Sequence, residues 1–199
     1  MNENQPVTVD DVLKLHPYTE YNRGRVTELF AGRRVLSALD VLDLDIPWPH
    51  RWGILARLLP IKTVGLLVCD FAWHALPQYE QAYSGDRRVR KCITTTRRYW
   101  RGKASLDTLK AAWGDAWAAA MVVARAAAGC GTKAYAKDAA LAACKAAEHA
   151  AEWGSAYPAE RRAAIAAWAA ENAAEWVASY ATEEAYQQRR VRDVLRKGD

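Results

Sequence analysis

Alanine constrains this chain more than any other feature: 33 of the 82 residues from Ser105 to Tyr186 are Ala. Ala has no side-chain entropy to lose and is the best helix former, so this half of the chain is predicted to be helical throughout. Small side chains let helix backbones approach closely, and the nine Trp of the sequence supply the bulk that Ala lacks. Three long helices are expected: Leu106 to about Ala128, Lys133 to Trp153 with Thr132 as its cap, and one from Pro158 that either continues to Arg196 or restarts at Thr182. The links at Gly129-Cys130-Gly131 and Gly154-Ser155 are short, which makes neighbouring helices antiparallel. Trp113 and Trp117, and the stripe Ile165, Trp168 and Trp176, are read as core.

The first 60 residues read differently. Pro6, Pro17, Pro47, Pro49 and Pro60 divide them into short helical candidates at Val9 to Leu15, Arg25 to Ala31, Ser37 to Leu42 and His50 to Leu59. The Ile46-Pro47-Trp48-Pro49 segment is expected to be extended or turned, with Pro49 opening the helix after it. From Lys62 to Tyr83 the pattern is helical and mostly apolar, with a kink or break expected near Leu76, before Pro77. Ser84-Gly85-Asp86 reads as a turn. The expected fold is all-α: residues 1–60 form a collar of short helices packed on a bundle of long antiparallel Ala-rich helices over 61–199, the whole a single globular unit.

Arg88 to Arg101 is the clearest amphipathic helix. Val89, Cys92, Ile93, Thr96, Tyr99 and Trp100 fall on one half, and Arg87, Arg90, Lys91, Arg97, Arg98 and Arg101 on the other. Gly102 suits its C-cap, and Ser105 the N-cap of the next helix. Charge is concentrated here: residues 51–110 hold 12 basic and 4 acidic groups, against 5 and 8 in residues 1–50 and 11 of each in 111–199. Three readings of the basic face through Lys103 stand side by side. It meets phosphates of a nucleic acid. It meets an acidic protein surface, where Arg is a favoured anchor. Or it is a solvated face, partly neutralised by carboxylates of the N-terminal collar.

No catalytic set emerges. Asp70 and His74 are spaced to meet on one helix face, but Cys69 and His74 point roughly 140° apart around a helix axis, and no oxyanion-type loop accompanies them. An enzymatic reading would need a pocket around Asp70, His74 and Glu80. His16, His50, His74 and His149 match no metal-binding spacing, and Cys69, Cys92, Cys130 and Cys144 match no zinc framework, so no metal and no cofactor is expected. Gly129-Cys130-Gly131-Thr132-Lys133 lacks phosphate-loop spacing. Buried free thiols, no secretory signal and no 18-residue apolar run point to a cytoplasmic chain without a membrane span.

The middle of the chain carries a recognisable pattern. Cys69-Asp70-Phe71-Ala72-x-x-Ala75-Leu76-Pro77-x-x-Glu80, then Asp86-x-Arg88-x-Arg90, then Arg97-x-x-Trp100-x-Gly102 and Ser105, resembles the Imm5-like family of Ala-rich helical immunity proteins. The pattern covers about residues 66–110. Upstream, Leu39-Asp-Val-Leu42-x-Leu-Asp-Ile46-Pro47 and Trp52 are similar to a version seen in phage and prophage proteins. The resemblance implies a compact helical protein that neutralises a protein partner, a toxin or a component of a defence system, by binding it. It supplies no catalytic residues. Within it Cys69, Asp70, Pro77, Glu80, Arg88 and Trp100 read as structural, with Asp70 pairing to Arg88 or Arg90 and Trp100 packing beneath. Cys92, where Ala is commoner, and Tyr99 are departures that leave the helix intact.

Overall fold

The computed structural model describes residues 6–14, 21–126, 140–141, 143–148 and 180–197, and every regular element among them is helical. Four short helices come first: α1 (Val9–Lys14), α2 (Arg23–Phe30), α3 (Ala38–Leu42) and α4 (Trp48–Leu58). The long helices α5 (Ile61–Ala82), α6 (Arg88–Trp100) and α7 (Leu106–Ala126) follow. Helical residues at 140–141 and 143–148 and a C-terminal helix, α8 (Tyr180–Lys197), complete the set. The expectations for Thr132, Gly129 to Lys133, Gly154-Ser155, Ile165, Trp168 and Trp176 lie outside the described residues, as do Cys130, His16 and His149. No helix among the described residues is long and apolar enough to cross a membrane.

The first three short helices have capped first turns, whereas α4 opens on Pro47 with no side-chain cap. Thr8 and Asp11 exchange hydrogen bonds across the start of α1, and Ser37 and Asp40 form a capping box on α3. Asn22 accepts the Arg25 amide at the start of α2, which ends on Ala31 in the left-handed region (φ 47°). One antiparallel bridge, Val7 to Leu36, fastens the segments that precede α1 and α3.

Two local expectations are corrected. Trp48, although it precedes a proline, is already helical, and α4 starts there instead of at His50. Its ring is buried, and its indole N–H donates to Gln187 Oε1 of α8 at 2.7 Å, so tertiary anchoring overrides the local pre-proline preference. The helix also runs unbroken through Pro77. Pro77 is exposed while Ala75, Leu76 and Tyr79 are buried. Packing on the inner side therefore holds the helix together while the lost backbone hydrogen bond falls on the solvent side.

A single buried cluster runs from Val7 to Val191. Trp52 of α4 meets Phe71 of α5 edge to face at 5.3 Å. Ala116, Ala119, Ala120 and Val123 of α7 and Ala143, Cys144, Ala146 and Ala147 close the other side. Trp113 and Trp117 do pair, with centroids 6.2 Å apart, but Trp117 is 39% exposed, so only Trp113 belongs with the core.

Candidate partner-binding site

The basic helix is one arm of an antiparallel hairpin. The turn between α5 and α6 closes with the Asp86 amide donating to Tyr83 O at 3.0 Å. Asp86 accepts the Arg88 amide at 2.9 Å and grips its guanidinium through Nε at 3.0 Å. Those bonds hold the Asp86 carboxyl down at about 2, against the opposing effect of burial. Burial, reinforced by the neighbouring carboxylate, pushes the Tyr79 phenol up.

Away from the turn, contacts follow in register. Glu80 takes both Arg87 (3.1 Å) and Arg90 (2.6 Å through Nε), which lowers its own pKa, Arg90 being the largest cause. Trp73 lies between two guanidinium groups, Arg90 at 4.9 Å and Arg97 at 4.8 Å from its ring centre. Asp70 divides its oxygens: Oδ1 accepts from Arg97 at 2.6 Å, Oδ2 from Arg190 of α8 at 2.7 Å. One carboxylate thus ties α6 and α8 to α5. At the far end Trp100 covers Gly65 so closely that a Cβ there would lie 2.1 Å from its Cε2.

This geometry sorts the predicted residues. Arg87, Arg90, Lys91 and Arg97 all have carboxylate partners, Lys91 through Asp115 of α7 at 3.3 Å. Arg98 and Arg101 are exposed and meet no carboxylate among the described residues. Asp70 pairs with Arg97 and Arg190 instead of Arg88 or Arg90, which lie too near the turn to reach it. Among the described residues, the carboxylates that neutralise the basic face belong to α5, the turn and α7, not to the N-terminal collar.

Sequence reasoning missed Trp73, Arg190, Gly65 and the place of Lys62. Lys103 and Lys62 extend the exposed pair. The α6 terminus is a Schellman turn: Gly102 takes φ 69°, its amide donates to Tyr99 O at 2.9 Å, and the Lys103 amide donates to Arg98 O at 2.7 Å. It holds Arg98, Arg101 and Lys103 around one helix end. Lys62 is exposed and lies one turn from Gly65, which faces Trp100, so it shares that end of the hairpin. The nearest charge of opposite sign in sequence is exposed Asp107 in the first turn of α7.

The nucleophile set does not assemble. His74 stacks on Tyr186 of α8 with centroids 3.7 Å apart. Cys69, Cys92 and Cys144 are buried free thiols, and desolvation pushes all three up, Cys92 to about 12. An apolar cavity of about 20 Å³ beneath α2 and α3, lined by residues such as Val26, Phe30, Leu36 and Ile54, has room for no substrate.

The two depressed carboxyls set a direction for acid sensitivity. Asp86 and Glu80 titrate lower in the folded chain than in the unfolded one. Their contribution is complete above the ordinary carboxylate range and disappears as pH falls through it towards about 2. Loss of the Asp86 pairing alone is expected to cost up to about 2 kcal/mol. Denaturant midpoints between neutral pH and pH ~3 measure this. Asp86→Asn lowers the neutral-pH midpoint and flattens the profile; an unchanged profile refutes the assignment.

Residues 60–155 match the family model described as Imm-5 like putative immunity protein. No curated protein and no solved structure matches the chain. The matched stretch opens at Pro60, the residue before α5, and contains the whole hairpin.

Proposed function

We propose, with residues 60–155 an Imm-5 like immunity-protein domain as the premise, that this chain inhibits a protein toxin by binding it, with no chemistry of its own. The observation that carries the reading is the division of the basic helix. Arg87, Arg90, Lys91 and Arg97 are engaged by internal carboxylates, whereas Arg98, Arg101, Lys103 and Lys62 stand exposed at one end with no carboxylate partner among the described residues. The partner, a toxin or a related defence-system component, presents an acidic surface to that end. Steering by such a patch raises association rate and specificity more than raw affinity. The three buried thiols fit a reducing cytoplasm.

The test uses wild type and Arg98→Glu/Arg101→Glu as baits in lysate of the source cell, with nuclease. Both positions are exposed and outside the internal ion pairs, so helicity by circular dichroism is expected to be unchanged. One stoichiometric protein is retained by wild type and reduced at least about tenfold by the double reversal, the scale of two lost charge contacts. Equal retention by both baits removes this end of the hairpin from the proposal. A load that nuclease abolishes makes the patch a phosphate-binding surface, with log affinity falling by about 0.9 per phosphate per log unit of salt.

A further inference from the structure

Between α5 and α6, the side chains of Glu80, Arg90, Trp73, Arg97 and Asp70 form a ribbon in which each touches the next. Each carboxylate serves two guanidiniums, Glu80 those of Arg87 and Arg90 and Asp70 those of Arg97 and Arg190, so cations outnumber anions along it. Asp193 of α8 acts on Arg190 without an ion pair. The donors are not used up, because a guanidinium carries more N–H groups than one carboxylate takes. Arg90 uses Nε and Nη2 on Glu80, and Arg97 uses Nη2 on Asp70 and the Cys69 carbonyl. Nη1 of both, and the Trp73 indole N–H, have no hydrogen-bond partner among the described residues, and none of the three is buried. Arg90 and Arg97 are two turns apart on α6, about 10 Å, with the indole between them. Three unpaired donors therefore follow one another along the ribbon. They are also held in place: a carboxylate grips each guanidinium and the Trp73 ring lies against it, so little side-chain freedom is left to lose on binding.

We infer that an acidic protein partner is anchored on this ribbon, two of its Asp or Glu side chains on Nη1 of Arg90 and Arg97 and an acceptor on the Trp73 N–H between them. Such a contact rests on the inhibitor reading and continues from the exposed end of the hairpin, since Arg97 and Arg98 are neighbours. Unpaired N–H groups beside surplus positive charge suit oxyanions, which accept and do not donate. Arg and Trp are also the side chains that dominate protein interfaces. Asp70 and Glu80 discriminate between the two sources of oxyanions. A nucleic-acid strand repeats its phosphates every ~3.4 Å along the axis, so a run long enough to reach both arginines sets negative charge against these carboxylates as well. A folded acidic surface places carboxylates at the arginines alone.

Heteronuclear NMR of the full chain tests this with a stated probe: a short Ala-rich helical peptide carrying two glutamates two turns apart, about 10 Å, and the same peptide with glutamines. The Trp73 indole signal, assigned by its loss in Trp73→Phe, is expected to shift saturably with the Glu peptide, with a dissociation constant of about 1 mM or lower. The Gln peptide binds at least about tenfold more weakly. Trp73→Phe keeps a ring between the guanidiniums and removes the N–H. Anisotropy of the dye-labelled Glu peptide should then show binding at least about threefold weaker, with circular dichroism unchanged. A shift confined to the Arg98 and Arg101 amides overturns the ribbon as a contact and leaves the exposed end as the site of the proposed function. No shift at either place overturns both. Equal binding of the Glu and Gln peptides, or of Trp73→Phe and wild type, overturns the assignment of these donors. An oligothymidylate that moves the indole signal at about tenfold lower concentration than the Glu peptide makes the ribbon a phosphate site and overturns the protein partner.

Discussion

Gly65→Val is expected to lower the thermal midpoint by about 6–12 °C, corresponding to roughly 3 kcal/mol in a chain of this size. The cause is steric. A Cβ at Gly65 would stand 2.1 Å from Trp100 Cε2, 2.4 Å from Nε1 and 2.5 Å from Cζ2. Those atoms belong to a rigid ring that is 8% exposed and cannot swing away. Overpacking of a filled core costs about 1–3 kcal/mol and sometimes more. The gain in helix propensity on replacing Gly, up to about 1 kcal/mol, opposes this and loses. The contact predicts its own rescue: Trp100→Leu makes room for the new side chain, so Gly65→Val costs much less in that background. A double-mutant cycle with zero coupling refutes the account.

The second large effect lies at Asp70. Asp70→Ala leaves Arg97 and Arg190 facing one another without the carboxylate between them. Their side chains are 24% and 36% exposed, and Asp70 18%. Breaking a fully buried pair costs about 3–5 kcal/mol and an exposed one under about 1. This partly screened node should cost about 2–3 kcal/mol. The sign with salt distinguishes it from the Gly65 clash. At about 1 M salt the Debye length is near 3 Å, so repulsion between the two arginines is screened and part of the loss returns, whereas the steric penalty does not. Amide exchange in α8 should accelerate more than in α5. Equal losses at low and high salt would sink the electrostatic reading.

The fold was legible where sequence carries punctuation. Prolines and turn residues marked α1 to α4 to within a few residues, and the alternation of Val89, Cys92, Ile93 and Thr96 with arginine gave the buried face of α6. It was illegible where Ala occupies both faces. Ala112, Ala116, Ala119 and Ala120 are buried, while Ala111 and Ala118 on the same helix are exposed. Hydropathy therefore has no period to report, and Trp117, read as core from its spacing to Trp113, is exposed. The partner of Asp70 was half within reach. Counting from the Ser84-Gly85 turn, an antiparallel hairpin brings Asp70 level with Arg97, not Arg88 or Arg90. Arg190 lies 120 positions away and no local rule points to it. The structure likewise divides the basic helix by what faces each arginine across the hairpin, which composition alone does not contain.

The hydrogen bond between Trp48 and Gln187 joins residues 139 positions apart. Bacterial to eukaryotic ribosomes add about 5–20 residues per second, so roughly 7–28 s pass between the synthesis of its donor and of its acceptor. During that interval the Trp48 indole, Asp43 and the second oxygen of Asp70 all await α8, because Gln187, Arg192 and Arg190 are their partners. The nascent chain thus carries an unfinished seam along α3, α4 and α5 until α8 emerges. A ribosome stalled before residue 187 leaves a product that lacks all three fastenings.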